Sequence, residues 1–201
     1  MTDHPITRHD RRRRKSRRQL IEAAMELILE KGYEAVTIQD ITDRADLGRG
    51  TFYLHFKDKE EAVWSAIEDG LRTIEEKAHR QFPDGPPPQA EFYAYRNIFR
   101  HAEENHNLYR VMLGGQGSAI MTARVQAHLV EELQRDLSVL PPDVFLEFHI
   151  PSNILAQLIA GAVIQLVRWW LETPNKYSVE DMAGMLYSTF HRKPPPKNPI
   201  Y

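Results

Sequence analysis

Thr37-Ile-Gln-Asp-Ile-Thr-Asp-Arg-Ala-Asp-Leu-Gly-Arg-Gly-Thr-Phe-Tyr-Leu-His-Phe-Lys-Asp-Lys59 reads as two short helices around a turn, the plan of a helix-turn-helix. The Thr37 hydroxyl suits a helix N-cap, and Asp40 puts a carboxylate in the positive first turn. Ile38, Ile41 and Ala45 recur at helical spacing and make one buried stripe. Asp46-Leu47-Gly48 interrupts it, with Gly48 expected to supply the backbone freedom of the turn. A second helix is expected over residues 49–56, with Phe52 and Phe56 inward. Arg49, Gly50, Thr51, Tyr53, Leu54 and His55 then face outward or sideways. An exposed Tyr and His on so short a helix suit phosphates and base edges in a major groove better than they suit solubility. The alternative is a plain helical hairpin; Tyr53 and His55, with Lys59 behind them, weigh against it.

Upstream, Ser16-Arg-Arg-Gln19 has the form of a capping box and is expected to open a long helix, closed by Lys31-Gly32. Leu20, Ala24, Leu27 and Ile28 make its inner face. Residues 1–20 hold eight Arg or Lys against two Asp, a balance of +6 in a chain whose net charge is −2. A basic tip on an acidic body points one end of the molecule at a polyanion. Residues 1–15 are expected to be a disordered basic arm, either an idle tail or one lying on phosphates or in a minor groove. Arg17 and Arg18 are placed to add phosphate contacts. Downstream, Asp58-Lys-Glu-Glu61 opens a longer helix with Val63, Ile67, Leu71, Ile74 and Ala78 inward. It runs from the DNA end into the second half of the chain.

Ile21, Ala24, Leu27, Gly32-Tyr33, Thr37-Ile38, Ile41, Ala45, Leu47, Gly50-Thr51-Phe52-Tyr53, His55-Phe56, Lys59 and Val63 form a long pattern of fixed spacing. Through it, residues 17–67 resemble the DNA-binding domain of the TetR family of transcriptional regulators. Gly48 departs from a frequent Ser, and Leu54 from a frequently polar residue. The resemblance implies a homodimeric, ligand-responsive regulator, expected to act as a repressor on double-stranded operator DNA in a bacterial cytoplasm. It also implies an all-α fold, with the helix-turn-helix domain at 16–60 and a helical effector-binding and dimerisation domain at 61–192. By resemblance and position, Arg49 and Gln39 are candidates for base contacts. Arg suits guanine O6/N7, and Gln suits adenine N6/N7. Gly50 permits close backbone approach, Leu54 suits a thymine methyl, and Thr37, Thr51, Tyr53, His55 and Lys59 suit phosphates. Gln39 and Leu54 read equally well as exposed side chains without a contact.

The 201 residues are 42% apolar, enough for a sizeable core, and carry no cysteine, which excludes disulfides and a thiol switch. Period-two alternation is absent, so all-α is also the reading from pattern alone. No signal-peptide pattern opens the chain, and the longest uninterrupted apolar run, residues 158–164, is far short of a membrane span. Helices are expected over 89–105, 108–113, 118–140, 154–171 and from Ser178 onward. The proline run at 86–88 and the glycines at 114–117 read as loop and punctuation, and 193–201 as a disordered tail.

Phe92, Tyr95, Phe99, Tyr109, Met112, Met121, Phe148 and Trp169 could line an effector pocket, although such residues at helical spacing equally make plain core. The greasy stretch 154–171 and the last helix are expected to pair with their copies, through Leu155, Ile159, Val163, Leu166, Met182 and Leu186. An enzyme is the rival reading, resting on scattered His101, His106, His128 and His149 beside Glu103-Glu104. No metal-ligand pair, nucleophile motif or cofactor fingerprint supports it, so no catalytic residue, metal or cofactor is expected. A third reading, an architectural DNA-binding protein without effector, keeps the DNA surface and drops the pocket.

Overall fold

The computed structural model describes residues 7–82, 89–114, 119–138, 150–173 and 177–191. Every regular element among them is helical: α1 (Arg8–Lys31), α2 (Ile38–Arg44), α3 (Arg49–Tyr53), α4 (Lys59–Gln81), α5 (Ala90–Glu104), α6 (His106–Leu113), α7 (Ala119–Ser138), α8 (Ser152–Glu172) and α9 (Val179–His191). The expected segments at 83–88, 115–117, 139–149 and 193–201 lie outside the described residues.

The first helix begins well ahead of Ser16. Thr7 accepts the Asp10 N–H at 3.1 Å, and the Asp10 carboxylate accepts from the Thr7 N–H at 3.1 Å and its hydroxyl at 2.7 Å. This complete capping box turns most of the expected disordered arm into helix, since arginine is a good helix former once a start is provided. Residues 1–6 lie outside the described residues. Ser16 is therefore a mid-helix residue, its hydroxyl donating to the Arg13 carbonyl (3.0 Å), not a cap. Gly32 ends α1 at φ 83, where glycine is favoured.

The second capping box, Thr37 with Asp40, stands as read from the sequence. Two details of the turn differ. The left-handed residue is Asp46 (φ 53), whereas Gly48 has an ordinary φ of −78. Asp tolerates that region because its short side chain is polar. The reading helix α3 also stops at Tyr53, and the His55 and Phe56 N–H groups both reach the Phe52 carbonyl at 2.9 Å in the turn that follows.

Leu20, Ala24, Leu27 and Ile28 of α1 close over Ile41, Phe52, Phe56, Val63 and Ile67, making the core of the DNA-binding end. α4 leaves this core and packs along α5, while α5 lies against α9, and α7 against α8. Gly70 lets α4 approach closely, because a Cβ there would lie 2.8 Å from Leu108.

α8 is long and apolar enough by composition to cross a membrane, but here one face packs onto α5, α6 and α7. That inner face holds Leu155, Ile159 and Val163, and Met182 and Leu186 are likewise buried on α9. These five residues, expected from the sequence to face a second copy, are buried within the subunit's own core, and Leu166 is half-buried. Helical period marks an apolar face without saying what covers it.

Candidate nucleic-acid interface and effector cavity

Phe52 anchors α3, packed at 5.6 Å from the Phe56 ring and edge-on to Tyr53 at 5.6 Å. With Phe52 inward, Arg49, Gly50, Tyr53 and Leu54 stand exposed and Thr51 half-buried beside them. Leu54, 74% exposed, is a large apolar side chain with no core to serve. Apart from its chain neighbours and the backbone of α3 itself, nothing lies within 4 Å of where a Cβ on Gly50 would sit, so the backbone there is open to close approach. Gln39 is exposed on the adjoining α2, its amide donating to the Asp43 carboxylate at 2.7 Å. The Thr37 hydroxyl is held in its capping box.

Four other residues take intramolecular partners. The Lys59 ammonium donates to the Tyr33 carbonyl (2.6 Å) and the Val36 carbonyl (2.8 Å), and lies 4.1 Å over the Tyr33 ring. It ties the α1–α2 connection to the start of α4, a role different from the phosphate contact read from the sequence. Burial lowers its pKa and, with Glu60, Glu34 and Asp58 nearby, pushes the Tyr33 phenol up to about 12. His55 turns back to α1, with Nε2 2.8 Å from the Ser16 hydroxyl. Burial, then the charges of Arg13 and Arg17, hold its imidazole below the usual histidine range. Arg17 pairs with Asp69 of α4 at 3.1 Å and lies over the Phe56 ring, while Arg18 stays exposed beside Glu22.

Sequence reading missed the cleft between α1 and α3, lined by His9, Arg12, Arg13, Lys15, Ser16 and Gln19 on one side and Leu47, Thr51, Leu54 and His55 on the other. The signal was available in Thr7-x-x-Asp10, a capping pattern ahead of the arginine run.

Below the DNA-binding end lies a small apolar cavity of about 50 Å³. Its walls are Leu71 and Ile74 of α4, Ile98 of α5, Tyr109, Met112 and Leu113 of α6, Val125 and Leu129 of α7, and Val163, Ile164 and Val167 of α8. Of the pocket candidates, Tyr109 and Met112 are on this wall. Phe92, Tyr95, Phe99 and Met121 are buried elsewhere, Phe92 edge-on to Tyr187 and Phe99 edge-on to Trp170. Trp169 is 41% exposed, and Phe148 lies outside the described residues. The wall is mostly aliphatic, and nothing in a helical sequence separates an aliphatic wall from aliphatic core.

The Tyr109 hydroxyl sits 3.2 Å from His101 Nδ1. Burial raises the phenol and lowers the imidazole of this pair. Among the described residues, no group of three His, Cys, Asp or Glu is placed to hold a metal. His106 meets the Leu171 carbonyl, His128 packs near Trp64, and His149 is outside the described residues.

Residues 20–63 match the model of bacterial regulatory proteins of the tetR family, and residues 92–192 match that of a transcriptional regulator C-terminal region. The chain belongs to the TetR family of transcriptional regulators. A TetR-family chain is a DNA-binding regulator and not an enzyme. The fatty acid metabolism regulator protein of Bacillus subtilis (strain 168) is 24% identical over 196 residues, covering 87% of this chain and 95% of that protein. Among solved structures, the fatty acid degradation regulator FadR from Bacillus halodurans superposes with a TM-score of 0.68 at 20% identity, over 86% of this chain and 96% of that one. The regulator FadR from Bacillus subtilis, solved in complex with stearoyl-CoA, gives 0.65 at 22% identity over the same shares.

Proposed function

We propose that this chain is a transcriptional repressor that binds a two-fold-related operator as a homodimer and is released by a small, mainly apolar effector bearing an acyl chain. The observation that carries the reading is the composition of the cavity wall. α4 gives Leu71 and Ile74 to that wall, and the same helix begins at Lys59 inside the DNA-binding core. A packed helix moves as a unit, so an occupant pressing on its middle turns shifts the reading helices. α7 shares both jobs: Val125 and Leu129 face the cavity, while Arg124 pairs with Glu60 at 3.0 Å and lies over the Trp64 ring.

On DNA, Arg49 reads a guanine, Gln39 an adenine and Leu54 a thymine methyl. Thr37, Thr51, Tyr53, His55, Arg17 and Arg18 set the register on phosphates. The two half-sites of such an operator lie about one helical turn (~34 Å) or a multiple apart. A few ångströms of added separation would prevent simultaneous docking. The effector acts only through its preference for the splayed dimer; a 100-fold preference corresponds to about 2.7 kcal/mol. The acyl chain is inferred from the apolar wall and from the fatty-acid regulators among the relatives, and admitting it requires the walls of the small cavity, α4 among them, to move apart.

The test starts from DNA selected by the protein out of a random pool. Long-chain acyl-CoA is expected to dissociate that complex, and Leu129→Trp, which fills the cavity, to abolish the response while DNA binding persists. Selected DNA held equally well at every acyl-CoA concentration would overturn the effector reading and leave an architectural DNA-binding protein.

A further inference from the structure

We infer that the first two turns of α1 form, with the face of α3, a clamp on the DNA sugar-phosphate backbone, a binding site beyond the helix-turn-helix itself. The inference rests on the DNA-binding reading above. His9, Arg12, Arg13 and Ser16 recur at three- to four-residue spacing and share one side of α1, where they face Thr51 and Leu54 across a cleft. The Ser16–His55 hydrogen bond (2.8 Å) closes the floor of that cleft and fixes the distance between its walls. This basic spur is therefore a fixed part of the reading head.

Its charges are arranged against the stability of the free helix. Arg8, Arg11, Arg12, Arg13, Arg14 and Lys15 are all exposed, and among the described residues none forms a salt bridge. Asp10, the one acid among residues 8–15, has its carboxylate on the Thr7 cap. Cations at a helix N-terminus oppose the macrodipole, and Arg8/Arg12 and Arg11/Lys15 are like-charge pairs at i,i+4. A merely solvated face would intersperse acids. A polyanion laid along the spur removes both repulsions.

Groove dimensions decide where on DNA it lies. A helix with side chains is about 10–12 Å across, too wide for a minor groove of about 6 Å. The major groove is taken by α3. The spur is left with the phosphates bordering that groove, and its length of about 12 Å spans roughly three of them along one strand.

The experiment measures the salt dependence of binding by full-length protein to random-sequence duplex and to selected operator. Arg12→Gln/Arg13→Gln is expected to flatten log K against log salt by about 0.9 per lost phosphate contact, thus about 1.8 per spur, on both DNAs alike. Arg12→Pro removes one charge but breaks the spur helix, with the remaining helix free to restart at that position. It is expected to lose as much as the double variant, whereas a flexible arm would lose no more than with Arg12→Gln. An unchanged slope in the double variant, or equal losses for Arg12→Pro and Arg12→Gln, overturns the clamp while leaving the helix-turn-helix reading intact. Wild type that binds anionic vesicles and no duplex at all overturns both.

Discussion

An ammonium group that already holds two carbonyl oxygens of its own fold is a poor phosphate ligand, because reaching DNA would strip both. Lys59 is in that position, donating to Tyr33 and Val36 from the first residue of α4. Lys59→Met keeps much of the stem over Tyr33 and leaves the two carbonyls to find water. Hydrogen bonds from charged donors contribute about 1.5–3 kcal/mol, and the half-exposed site favours the lower end. Urea unfolding is expected to show a loss of about 1–2 kcal/mol, with the salt slope of DNA binding unchanged. A flatter slope at unchanged stability would return Lys59 to the phosphate contacts. The lysine's presence near the reading helix was legible in the sequence; its partners were not, because they are main-chain oxygens that any residue supplies. Arg49, Tyr53 and Leu54 were easier, since an outward position on a helix whose Phe52 must turn inward follows from spacing alone.

At the scale of elements, the faces of the long helices were legible wherever an apolar period ran for several turns. Termini were legible wherever a side chain makes them: Thr37 with Asp40, Gly32, and Ser178 with Asp181 all cap as their residue types suggest. The start of α1 was obscured because a run of arginines resembles a solvated tail, although Thr7 and Asp10 carried the cap. α3, only five residues long, also lacks a capping side chain, for its N-cap, Gly48, makes no side-chain hydrogen bond. Nothing lies within 4 Å of a Cβ at Gly48, and its backbone is in the extended region that cap residues adopt. Gly48→Ser is therefore expected to add a bond to an orphan N–H of α3 and stabilise the protein by a few tenths of a kcal/mol. The check is a higher urea midpoint with an unchanged m-value; a lower midpoint would mean that the added hydroxyl strains the turn.

For the whole molecule, the question is what covers the outer face of α8. Ile154, Leu158 and Trp169 are 46%, 52% and 41% exposed, and Met185 of α9 is 45% exposed. Ile154, Leu158, Gly161, Gln165 and Trp169 follow one another at three- to four-residue steps, so they form a stripe on the side opposite Leu155, Ile159 and Val163. Open space around Gly161 would let another helix come close. The sequence showed that α8 was greasy on more than one side, but period alone could not say which side the subunit covers itself. Replacing Leu158 with Glu places a charge on the outer stripe without touching the core and is expected to turn a dimer into a folded monomer, read by light scattering together with an unchanged helical spectrum. Val163→Glu instead puts the charge in the cavity wall and is expected to unfold the subunit. Losing one half-site removes the gain from linked binding, commonly 10²–10⁴-fold, so operator affinity should fall by about that range in Leu158→Glu. A Leu158→Glu protein that stays dimeric would exclude this face as the interface. One that is monomeric yet binds operator as tightly as wild type would show that a single reading head suffices, and the splaying route to release would then have nothing to act on.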